Sequence, residues 1–113
     1  MQLSQAEITQ QNQQKYLISG TVDFSTVPDL SRQSSAFFAA KKTSDNSHPD
    51  NKEVIFDLSE VEECNSAVLA LMLEIVKHAK QKKLAVSFEN IPATILTIAR
   101  AYGVENEIRE LCK

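Results

Sequence analysis

The segment from Ser66 to Lys80 is the most constraining feature of this sequence, because it carries more apolar side chains than one side of a surface helix needs. At spacings of three and four residues, these side chains form two stripes: Leu69, Met72, Leu73 and Val76 on one, and Val68, Leu71, Ile75 and Ala79 on the other. A helix that packs on a sheet needs a single apolar stripe. One stripe can cover a sheet, so the second has to contact a neighbouring helix or another protein.

Segments with strand and helix patterns alternate on both sides of this helix. In chain order, the predicted elements are strands 6–11 and 15–20, a helix that begins near Ser25, strand 53–58, an acidic turn at 59–63, the helix at 66–81, strand 84–88, and helices 92–102 and 104–111. Strands that alternate with helices form a sheet with parallel neighbours and packed helices. We therefore predict a single α/β domain over residues 1–113, with a mixed sheet of about four strands, an N-terminal β-hairpin and three to four helices. The polar stretch 41–52 is predicted to be a solvated loop within this domain.

Charge and hydropathy exclude several classes of protein. Twelve basic against fifteen acidic residues give a net charge of −3, which argues against a nucleic-acid binder because such a protein needs a basic face. No apolar run reaches the roughly 18–20 residues that cross a bilayer. The first residues have neither the basic nor the apolar region of a signal peptide. We therefore expect a cytoplasmic protein.

An enzymatic site is the weakest hypothesis. Four acidic residues lie near the end of the third predicted strand: Asp57, Glu60, Glu62 and Glu63. They could act in acid–base catalysis, but a solvated turn whose charges favour the start of the next helix explains them more simply. The chain has no phosphate-binding loop, since its only glycines are Gly20 and Gly103, and its histidines and cysteines lack the spacing of metal ligands. We predict no catalytic residue, no metal site and no cofactor.

The start of the long helix is the candidate functional position. Asn65 and Ser66 are both residues that cap helix N-termini, because their side chains accept hydrogen bonds from free amides. A phosphoryl group on the Ser66 hydroxyl would lie at the positive end of the helix dipole. It would also add about −1.5 to −2 charges beside an apolar stripe and near Glu62 and Glu63, which would tend to block docking. Ser66 is therefore either a simple cap or a hydroxyl at the edge of a docking surface and a candidate phosphorylation site.

Two stretches around this position resemble the STAS domain family, to which the bacterial anti-sigma-factor antagonists belong. They are 54–61, an apolar strand that ends in Asp-Leu-Ser, and 64–69, which opens the long helix. The family has Asp-Ser-Ser-Gly-Leu or Asp-Thr-Gly-Gly-Leu at the second stretch. Here Asn65 stands in place of the Asp, Ser66 keeps the hydroxyl, and Ala67-Val68 replace the small pair. The resemblance implies the STAS fold over nearly the whole chain.

Within this family the closer likeness is to MlaB-like proteins, and it is carried by 69–73, 78–80 and 99–104. These proteins are small cytoplasmic subunits of MlaFEDB-type ABC transporters, which move phospholipids and maintain outer-membrane lipid asymmetry in Gram-negative bacteria. They bind the ATPase subunit and support its assembly and activity. The resemblance therefore implies a regulatory, non-catalytic subunit whose partner is an MlaF-like ATPase and which meets the inner membrane only through that partner.

The resemblance also implies where the contact lies. The partner-binding residues that it indicates are Asn65, Ser66, Ala67, Val68, Leu71 and Ile75. In the family pattern the leucine after the small pair belongs to the core, so Leu69, Met72 and Val76 are expected to face inward. That leaves Val68, Leu71 and Ile75 as the expected outward stripe. The alternative implied by the same family is an anti-sigma-factor antagonist, whose partner is an anti-sigma factor kinase and whose switch is phosphorylation of Ser66.

Overall fold

The computed structural model describes residues 6–40 and 53–112. Its elements are β1 (Ala6–Gln10), β2 (Lys15–Val22), α1 (Val27–Ala40), β3 (Glu53–Cys64), α2 (Ala67–Gln81), β4 (Ala85–Glu89), α3 (Ala93–Ala101) and α4 (Glu105–Glu110). The order of strands and helices is the predicted one, and the α/β class with four helices is confirmed. The predicted loop at 41–52 lies outside the described residues. Among the described helices, none combines the length and the apolar character needed to span a membrane.

The four strands form one mixed sheet in the order β1-β2-β3-β4. β1 and β2 pair antiparallel, while β2 with β3 and β3 with β4 pair parallel. The hairpin turn is stabilised by Asn12, whose Oδ1 accepts hydrogen bonds from the backbone amides of Gln14 and Lys15, both at 2.8 Å. A short polar side chain that bonds the backbone two residues on favours a turn of this kind. The predicted N-terminal hairpin and mixed sheet are therefore confirmed.

The core is centred on a row of aromatic side chains that crosses three strands. Tyr16, Phe56 and Phe88 are direct neighbours in the register of β2, β3 and β4. Their ring centroids lie 5.3 Å and 6.0 Å apart along the row. From α1, Phe37 packs on Tyr16 at 4.8 Å and Phe38 on Phe56 at 6.1 Å. These contacts fix α1 on one face of the sheet, and most of the buried residues of α2 belong to the same hydrophobic cluster.

Strand β3 is longer than predicted, and the expected turn at 59–63 is wrong. The strand continues to Cys64 because β2 supplies a pairing partner, with Ser19 opposite Glu60 and Val22 opposite Cys64. Register shifts interrupt this pairing at two points. The backbone groups of an acidic segment are satisfied in this way, although the sequence has no alternation of apolar and polar residues there. Helix α2 therefore begins just after the end of a long central strand.

The end of the chain covers one edge of the sheet. Gly103, with φ of 75°, ends α3 as predicted, because this left-handed backbone conformation is the one that favours glycine after a helix. Helix α4 then brings Leu111 beside β4, where its carbonyl accepts a 2.8 Å hydrogen bond from the Phe88 amide. Cys112 forms a parallel bridge with Phe88. A covered edge is protected from pairing with another chain.

Candidate functional site

Helix α2 is capped by Asn65. Its Oδ1 accepts a 2.9 Å hydrogen bond from the Ala67 amide, and its carbonyl accepts one from the Val68 amide at 3.0 Å. The backbone of Ser66 already has helical angles, φ −60° and ψ −17°. An N-cap side chain bonds the amide two or three residues further on, so Asn65 holds the cap position and Ser66 is the first residue of the helical turn.

The Ser66 hydroxyl is therefore not used in capping the helix. It makes no side-chain cap bond, and no other described residue forms a hydrogen bond with it. The side chain is half-buried, whereas Asn65 next to it is exposed. Of the two alternatives for Ser66, a simple cap is wrong, since Asn65 fills that role. The structure instead places the Ser66 side chain at the edge of an exposed surface.

The predicted outward stripe of α2 faces the core, and this expectation is wrong. Ala67 and Leu71 are each 1% exposed, and Val68 and Ile75 are fully buried. The reason is the rotation of the helix, which turns this side of α2 toward the elements that it contacts, α1, β4 and α3. These four side chains fill the space between those elements. In this conformation none of them can contact a partner, so of the six predicted contact residues only Asn65 and Ser66 reach the surface.

A set of residues that differs from both predicted stripes forms the surface that α2 presents to solvent. We call it the outer face of α2; its members are Ser66, Ala70, Leu73, Lys77 and Lys80. A helix turns by about 100° per residue, so residues at these spacings of three, four and seven lie on one side. Leu73 is 54% exposed, although the sequence pattern grouped it with inward residues. Ser66 lies about 10 Å from Leu73 along the helix axis, two turns away. The hydroxyl and the exposed leucine therefore belong to one continuous face.

The C-terminal half of the outer face contains an open groove of about 500 Å³. We call it the α2 groove, and it is lined by Leu73, Val76, Lys77, Lys80 and Gln81. Two of these side chains are apolar and two carry ammonium groups. Neither lysine forms an ion pair with a described residue. Sequence reasoning missed this groove because it assigned Val76 to the core.

A second exposed apolar side chain lies at the same end of the molecule as Ser66. Phe24, 70% exposed, belongs to the loop between β2 and α1. The Asn65 amide donates a 3.2 Å hydrogen bond to the Val22 carbonyl, which joins this loop to the start of α2. The sequence analysis did not single out Phe24. The available signal was a large aromatic residue between two short polar residues, Asp23 and Ser25, in a turn.

The loop that carries Phe24 is held rigid by its polar neighbours. Asp23 accepts hydrogen bonds from the Ser25 hydroxyl at 2.6 Å and from the Ser25 and Thr26 amides at 2.8 Å and 3.1 Å. The bond from the Ser25 hydroxyl is the main cause that lowers the pKa of Asp23 below its ordinary value, despite an opposing effect of burial. Thr26 in turn donates to the Thr21 carbonyl at 2.8 Å. An exposed ring on a fixed loop loses little freedom when a partner covers it.

The acidic residues considered for catalysis are arranged as structural groups. Burial acts to raise the pKa of Asp57, but hydrogen bonds from Ser59 and Asn90 and the charge of Lys15 outweigh it, so the pKa is lowered. The Lys15 ammonium lies 3.7 Å from Asp57 and 3.3 Å from Glu89, across three strands. A general acid at neutral pH needs the opposite shift. The other three residues, Glu60, Glu62 and Glu63, are exposed along β3.

The described residues contain no group of three or more His, Cys, Asp or Glu side chains that is placed to hold a metal ion. Both cysteines are free thiols, and burial raises the pKa of each. A thiol with a raised pKa is a poor nucleophile, because the thiolate is the reactive form.

Comparisons with known proteins agree with this fold. A direct comparison with curated protein sequences found no match. A solved structure similar to this chain is that of the anti-sigma factor antagonist SpoIIAA in its unphosphorylated form, with a TM-score of 0.67 and 11% sequence identity. The alignment covers 96% of this chain and 86% of that one, which shows a shared fold. The family model described as "Mlab, STAS domain" matches residues 8–111, and the chain therefore belongs to this family of STAS domains.

Proposed function

We propose that this protein is a non-catalytic STAS subunit that binds and supports the ATPase of an MlaFEDB-type ABC phospholipid transporter. Family membership over residues 8–111 is the observation that carries the proposal. In this proposal the protein works in the cytoplasm and reaches the inner membrane only through its partner. Its role is to stabilise the ATPase, and so to maintain the lipid asymmetry of the outer membrane, without chemistry of its own.

The outer face of α2 and the loop beside its start support a protein contact. Phe24 and Leu73 are both exposed apolar side chains. Phe24 lies on the loop that is hydrogen-bonded to the start of α2, and Leu73 lies two turns along the helix from Ser66. The Ser66 hydroxyl has no hydrogen-bonding partner among the described residues. Large apolar side chains that remain uncovered near a polar group are typical of interaction sites. In this arrangement Leu73 and Phe24 would enter the partner's surface. The Ser66 hydroxyl would then hydrogen-bond a partner atom that is shielded from water.

The proposal is tested by co-expressing the protein with the Mla-type ATPase of the same genome and measuring their co-purification. We expect Leu73→Asp and Ser66→Glu to abolish most of the complex, because each buries a new carboxylate in the contact. Tyr102→Asp is the matched control for the first, since Tyr102 is also exposed but lies at the end of α3. Thr94→Glu is the control for the second, since Thr94 is an exposed hydroxyl residue in the first turn of α3. A wild-type protein that does not co-purify with the ATPase would contradict the proposal.

The alternative function is that of an anti-sigma-factor antagonist switched by phosphorylation. It is favoured by the Ser66 hydroxyl, which has no hydrogen-bonding partner in the described part of the chain, and by the fold shared with SpoIIAA. A phosphoryl group on Ser66 would lie beside the free amides of the helix start. The two functions are separated by incubating the protein with ATP and the anti-sigma factor kinases of the same genome. A mass gain of one phosphoryl group that disappears in Ser66→Ala would favour the antagonist.

A further inference from the structure

The two edges of the sheet are closed in different ways. At the β4 edge the end of the chain lies beside the strand, and the Leu111 carbonyl accepts a hydrogen bond from the Phe88 amide. At the β1 edge the acceptor is a side chain, because the Oε1 atom of Gln33 in α1 accepts a 2.8 Å hydrogen bond from the Ile8 amide. An unpaired edge strand is a template for pairing with another chain. The Gln33 side chain therefore occupies a place where a further strand would bond.

The Ile8 amide points away from the sheet. In an antiparallel pair, residues that exchange hydrogen bonds with the opposite strand alternate with residues that do not. Ile8 lies opposite Ile18 of β2, but its amide bonds Gln33, so its backbone groups belong to the outer edge. By the same alternation the backbone groups of Ala6 and Gln10 also point outward. The middle one of these three positions is the one that Gln33 covers.

Gln33 is held in this position from its other side. Its Nε2 atom donates a 2.9 Å hydrogen bond to the Asp29 carboxylate, one turn earlier in α1. The carboxylate accepts only from the NH₂ end of the side-chain amide, which leaves the oxygen end for the Ile8 amide. Ile8 is itself a core residue, 5% exposed, and its strand contacts α1. The hydrogen bond therefore joins two elements that packing already holds together.

We propose that Gln33 blocks the β1 edge and so prevents this strand from pairing with the β1 strand of a second copy of the chain. A second copy is the matching occupant because the strand is complementary to itself. An antiparallel twofold pairing centred on Ile8 places Ile8 opposite Ile8, Glu7 opposite Thr9 and Ala6 opposite Gln10. No two like charges lie directly opposite each other in this register, so side-chain repulsion does not prevent it. The pairing requires the Ile8 amide, which Gln33 keeps bonded.

The first test is the oligomeric state of Gln33→Leu, measured by sedimentation velocity over a series of protein concentrations. Leucine has a similar size but no acceptor, so the Ile8 amide loses its partner and becomes available to another strand. We expect dimerisation to become about tenfold tighter or more than in the wild type. Ser35→Leu is the matched control, because it adds a leucine at an exposed position of the same helix and keeps the bond to Ile8.

A second substitution tests whether the dimer forms through the strand edge. Ala6 is the first residue of β1 and its amide points outward. Proline is tolerated at such a position, and it removes the N–H that a further strand would use. We therefore expect Ala6→Pro, added to Gln33→Leu, to return the protein to the association state of the wild type.

Amide hydrogen exchange measures the hydrogen bond itself. In dilute Gln33→Leu, where the protein is monomeric, we expect the Ile8 amide to exchange about tenfold faster or more than in the wild type. Asp29→Ala gives an independent variant that keeps Gln33 and removes the group that orients it. It should change exchange and association in the same direction as Gln33→Leu, by a smaller amount. Urea unfolding verifies that each variant is folded.

The outcomes decide the proposal without reference to the ATPase, so they are independent of the proposed function. If Gln33→Leu associates no more than the wild type, the blocking role is wrong. Equal association in Ser35→Leu would also overturn it, since an added leucine on α1 would then explain the effect. A dimer that Ala6→Pro leaves intact would place the contact elsewhere and contradict the proposal. If Gln33→Leu does not fold, unchanged Ile8 exchange and unchanged association in Asp29→Ala would contradict it.

Discussion

At the scale of single residues, Asn65 and Ser66 differ in what they contribute to stability. Asn65 caps α2 through the Ala67 amide, while the Ser66 hydroxyl makes no cap bond. We expect Asn65→Ala to lower the free energy of unfolding by about 1 kcal/mol, the usual cost of losing a cap. Ser66→Ala should change it by less than about 0.5 kcal/mol. Urea unfolding of the two variants measures the difference, and an equal loss in both would contradict the assignment of the cap.

The sequence identified this pair of residues but not their roles. Both residue types are good caps, and a sequence pattern does not fix which of two adjacent residues takes the cap position. That choice depends on where the chain leaves β3, and the hydrogen bond from the Asn65 amide to the Val22 carbonyl sets this point. The interaction joins residues far apart in the sequence, so local preference could not reveal it.

Glu105 makes the stability of the fold depend on pH in the acidic range. It accepts hydrogen bonds from Arg100 at 3.0 and 3.1 Å and from Arg109 at 2.9 and 3.2 Å, which ties α4 to the end of α3. Hydrogen bonds from Arg100 and then Arg109 lower the pKa of Glu105 from 4.5 to about 2. Because the folded pKa lies below the unfolded one, the stabilisation is fully present above pH 4.5 and is lost as the pH falls toward 2.

The test is the pH dependence of the urea midpoint in Glu105→Gln and in the wild type. We expect the variant to be less stable at neutral pH and to lose less stability than the wild type when the pH falls through this window. Glu110→Gln, an exposed carboxylate on the same helix without an ion pair to a described residue, is the control. Identical acid dependence in Glu105→Gln and the wild type would contradict the assignment.

At the scale of elements, two leucines lie on opposite sides of α2, one buried and one exposed. Leu71 is 1% exposed, whereas Leu73 is more than half exposed. We expect Leu71→Ala to lower the free energy of unfolding by about 2–5 kcal/mol, because it leaves a cavity in the core. Leu73→Ala should change it by less than about 0.5 kcal/mol, as is usual for surface positions. Thermal and urea unfolding of this matched pair check which side of α2 faces the core. A larger loss of stability in Leu73→Ala than in Leu71→Ala would contradict this assignment.

The periodicity of apolar residues predicts which elements form but not how they pack. Spacings of three and four predicted α2 and its two apolar stripes, and the short apolar run at 54–56 predicted β3. The rotation of α2 depends on contacts with α1, β4 and α3, which no spacing within the helix encodes. The extension of β3 to Cys64 likewise depends on pairing with β2. Element existence was therefore predictable, while the outward face, on which the site depends, was not.

At the scale of the whole molecule, two phenylalanines have opposite roles. Phe56 is fully buried at the centre of the aromatic row and contacts rings from β2, β4 and α1. Phe24 is largely exposed on a fixed loop at the Ser66 end. The same residue type therefore occupies the centre of the core at one position and an exposed loop at the other.

Alanine substitutions at these two positions test whether stability and docking are separate properties of this molecule. We expect Phe56→Ala to lower the free energy of unfolding by about 3–5 kcal/mol, out of the roughly 5–15 kcal/mol that a domain possesses. Phe24→Ala should leave stability within about 0.5 kcal/mol of the wild type and weaken the complex with the ATPase, because it removes an aromatic anchor from the contact. Unfolding curves and co-purification of both variants give the two readouts. A Phe24→Ala protein that binds as tightly as the wild type would remove this loop from the docking surface and confine the contact to α2.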